Sequence, residues 1–293
     1  MIKPYHTMHK NTIIIGILGG AGPDATIDLQ AALSQAMKTY ANAQTDQAHF
    51  RVITDNNTTI TDRSLGLHGK GPTPLPDIIK TATNLVKMGC HILLYPCNTA
   101  HVFLPQIQQC IPHTQLLDMV QLTCDHIHHR LSSSQTVGIL CTDITKQYGL
   151  YENISDKTII YPSENQQAHV MLAIFLAKAG YWYHAPKTHD TVRAITDYLH
   201  QVGDYQYSPE VVCQPAAQLL DGAITDLKKQ GADTVVLGCT EIPLCINTQG
   251  SATAHDIAIV NPTEILATQA VKAALLLNHA HNKQQQSVAT EAI

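Results

Sequence analysis

Short apolar runs alternate along the chain with longer stretches of helical periodicity, and the alternation recurs often enough to define a fold class. Ile13 to Leu18 reads as a first strand, interrupted in its pattern by Gly16. Beyond Gly19-Gly20-Ala21-Gly22-Pro23, the spacing of Ala25, Leu29, Ala32, Leu33 and Ala36 predicts a helix from Asp24 to Tyr40. Phe50 to Thr54 is a second strand, Pro76 to Met88 a helix, and Ile92 to Tyr95 a buried strand. A helix from Val102 to Gln109, a short strand at Leu116-Leu117 and a helix from Val120 to Leu131 follow. The pattern then restarts with a strand from Thr136 to Leu140 and a helix from Gln166 to Ala179, closed by Gly180. Leu219, Leu220, Ala223, Ile224 and Leu227 mark one apolar helix face ahead of a strand at Thr234 to Leu237. Ile257 to Val260 is a last strand and Pro262 to Leu277 a last helix, and the tail from His279 reads as disordered. Strands alternating with helices in this way predict an α/β fold with mostly parallel sheets.

Two of the strands stop at a cysteine followed by polar residues of the helix-capping type. In Ile92-Leu93-Leu94-Tyr95-Pro96-Cys97-Asn98-Thr99, Pro96 cannot donate to a sheet ladder, so Cys97 is expected at the strand's C-terminal edge, directly before a helix. Open α/β sheets bind ligands there. A thiol at a helix N-terminus also feels unpaired N–H groups, which favours the thiolate and makes Cys97 a candidate base or nucleophile. Thr234-Val235-Val236-Leu237-Gly238-Cys239-Thr240-Glu241 repeats the arrangement, which suggests two similar halves facing one cleft. Two thiols on opposite sides of a carbon can remove a proton from one face and return one to the other without a cofactor.

Composition narrows the function classes. A chain of 293 residues accommodates two lobes, and a net charge of −5 with 14% charged residues leaves no basic patch for nucleic acid. No apolar run approaches the roughly 20 residues that span a bilayer. Met1 to Lys10 lacks an apolar signal core, so the eight cysteines read as reduced thiols of a cytoplasmic protein. The glycine turn after the first strand is expected to bring N–H groups towards an anion, of carboxylate size rather than a nucleotide. The polar segment from Asp55 to Pro72 reads as a functional or mobile loop, in which Arg63 offers a planar fork to a carboxylate. Cys124, His126, His128 and His129 share one helix but have no second ligand pair, so no metal is expected. Tyr181 to Tyr207 holds the only tryptophan, Trp182, among several tyrosines, and reads as a lid, a subunit contact or a satellite core. Two rivals stay open on the residues alone: a cysteine hydrolase with His101 one turn beyond Cys97, and a small-acid binding module without turnover.

Ile17-Leu18-Gly19-Gly20-Ala21-Gly22-Pro23-Asp24-Ala25-Thr26, Pro96-Cys97-Asn98-Thr99-Ala100-His101 and Gly238-Cys239-Thr240-Glu241-Ile242 together resemble the three signatures of aspartate racemases in the aspartate/glutamate racemase superfamily. The resemblance implies a cofactor-independent racemase interconverting L- and D-aspartate. It implies two pseudo-symmetric α/β lobes with the active site in the cleft between them, usually in a homodimer. On this reading residues 1–117 plus 256–293 form the lobe carrying Cys97, and residues 118–255 the lobe carrying Cys239. The resemblance carries over Cys97 and Cys239 as catalytic residues, Arg63 and Lys178 as cationic substrate contacts, and Asn98, Thr99 and Thr240 as ligands of the amino group and carboxylates. Thr142 falls in a loop that holds a carboxylate, and Glu241, where the glutamate branch has histidine, favours the aspartate branch. Three departures bear on substrate choice: Ala21 stands for a usual methionine, Asp143 and Ile144 stand in a normally glycine-containing hydroxyl loop where Asp143 would repel an anion, and Tyr181 to Gln214 is longer than the family pattern. A racemase for glutamate or another amino acid, or a decarboxylase or isomerase of the same superfamily, is the nearest alternative. The presence of both cysteines argues for two-base chemistry.

Overall fold

The computed structural model describes residues 12–131, 133–154, 156–186, 188–246 and 257–291, so the leader reading over 1–10 lies outside the described residues. The first half runs β1 (Ile14–Gly19), α1 (Pro23–Tyr40), β2 (Arg51–Asn56), α2 (Arg63–Leu67), α3 (Leu75–Lys87), β3 (Ile92–Leu94), α4 (Leu104–Cys110), β4 (Gln115–Leu116) and α5 (Met119–Arg130). The second runs β5 (Thr136–Leu140), α6 (Asp143–Gln147), β6 (Thr158–Ile160), α7 (Glu164–Lys178), α8 (His189–Gly203), α9 (Pro209–Val212), α10 (Ala216–Lys229), β7 (Thr234–Leu237) and β8 (Ala258–Val260), and α11 (Pro262–Glu291) closes the chain.

The strands form two parallel sheets of four, ordered β2-β1-β3-β4 and β6-β5-β7-β8. The orders are the same once β1 to β4 are matched with β5 to β8, so the repeat in the apolar pattern is a repeat in topology. In each sheet the inner strands are largely apolar, with a single threonine opening β5 and β7, because helices cover both faces. Ile15 and Ile17 of β1 lie level with Ile92 and Leu94 of β3, and all four are fully buried. β3 and β7 hold corresponding places, which puts the ends that lead to Cys97 and Cys239 at the same edge of their sheets.

Several sequence expectations are corrected. β1 runs unbroken through Gly16. Part of the segment from Asp55 to Pro72 is ordered as α2, capped by Asp62, which accepts from the Leu65 amide at 2.9 Å. β6 and α6 were not foreseen; each is one turn or three residues long, too short for periodicity to register. β8 pairs with β7 in the second sheet, so the lobe boundary at 256 is misplaced. An edge strand needs a ladder, and β7 supplies it; only with α11 does the chain rejoin the first lobe, where Leu266, Ala267, Ala270, Val271 and Ala274 pack with Leu29, Leu33 and Met37 of α1. The tail expected to be disordered from His279 continues α11 as far as Glu291. No glycine or proline interrupts that stretch, and its Ala, Gln and Lys residues favour helix.

The aromatic-rich segment folds as α8 and α9 on the second lobe. Leu199 and Val202 of α8 are continuous with the core formed by Leu219, Leu220 and Leu227 of α10, so this is no separate satellite core. Leu65 of α2 packs against the same core, and Lys70 Nζ donates to the carbonyls of Gln201 and Val202 at 2.8 and 3.0 Å, a cation at the C-terminal end of α8. Among the described residues no helix is long and apolar enough to cross a membrane.

Candidate active site

Beyond β3 the chain turns sharply, with the Cys97 amide donating to the Tyr95 carbonyl at 2.8 Å. A 3-10 turn over Thr99–Phe103 follows, and α4 starts only at Leu104. The expected α-helix N-terminus at Cys97 is therefore absent, and so is the dipole argument that rested on it. Asn98 has helical backbone angles and makes no side-chain cap. Cys239 follows β7 and Gly238 and leads into a 3-10 turn over Pro243–Cys245.

Both cysteines line one cavity of about 30 Å³ between the lobes. Arg63, Asn98, Thr99, Thr142, Lys178, Thr240 and Glu241 line it too, so the side chains that the resemblance carries over as catalytic or substrate-contacting are brought together. Ile174 and Phe175 also line it and were missed. They stand three and four places before Lys178 on α7, where helical spacing from Lys178 finds them. The space suits a water or two and is too small for an amino acid. It adjoins a cleft of about 140 Å³ that shares Asp62, Arg63, Lys178 and Glu241 and is floored by Ala21, Gly22 and Pro23.

Two cations face this space. Arg63, the first residue of α2, donates to the carbonyls of Ala21 and Thr61. Burial works against its charge, but Cys97, Tyr95, Asp62 and Glu241 close by favour it and hold the guanidinium protonated. Lys178, the last residue of α7, donates to Glu241 and, at 3.4 Å, to the Ala21 carbonyl. The glycine turn therefore presents a carbonyl to the site, not the N–H groups expected of it. Gly20 (φ +91°) lies so close to Asn57 that a Cβ would sit 2.3 Å from its backbone, and its amide is taken by Thr26 Oγ1 at 3.1 Å.

Hydroxyl and amide groups tie the two lobes across the cavity. Thr99 Oγ1 lies 2.9 Å from Thr142 Oγ1 and 3.1 Å from Thr145 Oγ1, and Thr240 Oγ1 donates to the Pro96 carbonyl at 3.2 Å. Asn98 Oδ1 accepts from the Tyr151 hydroxyl, whereas its buried Nδ2 has no partner among the described residues, a donor left for a ligand. Asp143 does not line the cavity: its carboxylate accepts from Gln167 Nε2 at 2.8 Å. Ile144 is buried within α6, a right-handed helix in which glycine is not needed. Asp143 is therefore turned towards Gln167 and does not contact a ligand in this cavity.

Cys239 Sγ donates to Glu241 Oε2 at 3.1 Å. Burial pushes the Cys239 thiol well up and the Glu241 carboxylate adds to it, so this cysteine is held protonated. Burial would also raise Glu241, but Lys178, the Cys239 thiol and Arg63 hold its carboxyl below the usual range. His101 is spent on structure. Its Nε2 accepts from the Met119 amide at 3.0 Å, so Nδ1 carries the proton and donates to the Cys97 carbonyl at 2.9 Å. With both ring nitrogens engaged, it cannot serve Cys97 as a base, and the cysteine-hydrolase reading fails.

Burial lowers the His101 pKa despite Asp118 nearby. A folded value below the unfolded one, about 6.5, gives stability that is present above that pH and lost as pH falls. The stability difference between wild type and His101→Gln should therefore shrink between pH 7 and pH 5 in urea titrations. A constant difference would show that the ring is not held neutral.

The family model for Asp/Glu/hydantoin racemases matches residues 18–181. The chain belongs to that family. It is an amino-acid racemase, and the matched segment ends where the aromatic-rich segment begins. The broad specificity amino-acid racemase RacX of Bacillus subtilis (strain 168) is 27% identical over 176 residues, covering 58% of this racemase and 74% of RacX. The aspartate racemase of Picrophilus torridus superposes with a TM-score of 0.67 at 23% identity, over 89% of this chain and 94% of that one. The glutamate racemase of Francisella tularensis superposes with a TM-score of 0.54 at 12% identity, over 92% and 83%. The two structures share the two-lobed α/β fold.

Proposed function

We propose that this racemase inverts the α-carbon of a small amino acid with Cys97 and Cys239 as its two acid–base groups, without a cofactor. The observation that carries the reading is that corresponding strand ends of two like-ordered sheets bring both thiols to one buried cavity. One sulfur takes the α-proton as thiolate, the other gives its thiol proton to the opposite face, and the two have exchanged protonation states when the product leaves. Arg63 stabilises the negative charge that spreads from the α-carbon into the carboxylate. Aspartate is the substrate that the sequence resemblance supports, with Arg63 and Lys178 as partners for its two carboxylates. One observation favours a second reading, an amino acid with an uncharged side chain: Lys178 is already paired with Glu241. A cytoplasmic location and a homodimer belong to the same proposal, the latter checked by sedimentation velocity.

The test is incubation of the enzyme with single amino acids in deuterated water. Deuterium should enter the α-position as optical rotation decays, and absence of exchange with every amino acid tried would refute the reading. Arg63→Lys keeps the charge but loses the planar fork, so kcat/KM should fall by about tenfold or more. Unchanged steady-state parameters would remove Arg63 from the site.

A further inference from the structure

The helix that presents Arg63 is too short to stand alone. α2 has five residues, and an isolated helix shorter than about 12 residues is marginal in water. Gly69 (φ +70°) closes its C-terminal end, with the Gly69 amide donating to the Gly66 carbonyl at 3.3 Å and the Lys70 amide to the Leu65 carbonyl at 2.9 Å. That closure ties Lys70 to the helix that begins with Arg63.

What holds α2 in place belongs in part to the other lobe. Leu65 packs on the core that contains Leu199 and Val202 of α8, and Lys70 Nζ donates to the carbonyls of Gln201 and Val202 at 2.8 and 3.0 Å. Tyr198 stands one turn before Val202 on the same face of α8. Its ring lies 4.6 Å, centroid to centroid, from that of Phe175, which lines the catalytic cavity. Its hydroxyl is buried beside the Asp62 carboxylate, a donor without a closer partner among the described residues. Burial raises the phenol pKa and Asp62 raises it further, so Tyr198 stays un-ionised next to the residue that caps α2. A guanidinium fork grips a carboxylate in one plane, so a small rotation of α2 would weaken the grip with Arg63 itself intact.

We infer that Lys70 and Tyr198 are positioning residues for Arg63, fixing α2 against α8 from its two ends. The inference rests on the racemase reading above. It gives the aromatic-rich segment a part in the reaction: α8 is the surface on which the carboxylate-binding arm is set.

Lys70→Met and Tyr198→Phe each leave Arg63 unchanged. On the amino acid that the wild type turns over fastest, each should lower kcat/KM by about tenfold, within the roughly 10²-fold that a misplaced group can cost. Lys70→Arg, which can still donate to the two carbonyls, should recover most of that loss. In an Arg63→Lys background neither change should lower kcat/KM by more than about twofold, because residues acting through one group are not additive. Full additivity would overturn the inference by showing that the two residues support the fold in general. Wild-type kcat/KM in either folded variant would overturn it as well. Should Tyr198→Phe fail to fold, Lys70→Met decides, since that side chain is exposed. The racemase reading survives each of these results; it falls, and this inference with it, if the wild type exchanges the α-proton of no amino acid.

Discussion

Replacing either Cys97 or Cys239 with alanine should lower racemisation by about 10²–10⁴-fold or more, since each removes the acid or base on one face of the substrate. The two losses should differ in kind. A thiolate that remains can exchange the α-proton of the enantiomer whose proton faces it, returning it to the same side without inversion, so the two variants should exchange opposite enantiomers. Proton NMR in deuterated water on pure L and pure D substrate resolves this, with circular dichroism to establish that both variants fold. Wild-type racemisation in either variant would make that cysteine a packing residue and end the two-base mechanism. Loss in both variants with exchange of the same enantiomer would place the two thiols on one face.

The largest effect on stability is expected at Lys178. Lys178→Met leaves Glu241 buried without its cation, and breaking one side of such a pair costs about 3–5 kcal/mol. Adding Glu241→Gln removes the stranded charge, so the double variant should regain a large part of the loss. The pH window follows from both partners. Burial opposes the charge on Glu241, yet its carboxyl is held below the ordinary value, about 4.3, so the stabilisation is complete above that pH and lost as pH falls through the folded value. Lys178, raised by Glu241 against burial, keeps its share below about pH 10.4 and loses it as pH rises through the folded value. The gap between wild type and Lys178→Met should narrow below the acidic limit, as Glu241 takes up its proton, and above the basic limit, as Lys178 loses its own. Urea midpoints with unchanged m-values measure it. Equal midpoints at neutral pH would show that the pair contributes nothing.

Much of this architecture is written in local pattern. The apolar runs ending at Gly19, Tyr95 and Leu237 gave strands because helices cover both faces of each sheet, and the repeated cysteine ending pointed to two side chains that line one cavity. What local pattern does not carry is pairing at a distance. Lys178 and Glu241 are 63 positions apart, and nothing near either says that they meet. Lys178 entered the candidate site through resemblance alone. The helix expected directly after Cys97 failed because Asn98 and Thr99, capping types by composition, face the cavity and the opposite lobe instead. Asp143 misled for a related reason: residue type signalled a charge in the site, while its orientation towards Gln167 was decided by tertiary packing. β8 was found as a strand but placed with the wrong lobe, since a strand's sequence does not name the sheet edge that will pair with it.

The two halves match in strand order but not in the residue two places beyond each cysteine. Beside Cys239 stands the Glu241 carboxylate, whereas the corresponding Thr99 meets only hydroxyls of Thr142 and Thr145. Mirror-image substrates have equal free energies in water, so the equilibrium constant is one and kcat/KM must be identical for the L and D directions whatever the protein does. The dissimilarity between the two sulfurs can therefore surface only in how that shared ratio is divided. The enantiomer that saturates the enzyme at the lower concentration is, in strict proportion, also the one turned over more slowly at saturation.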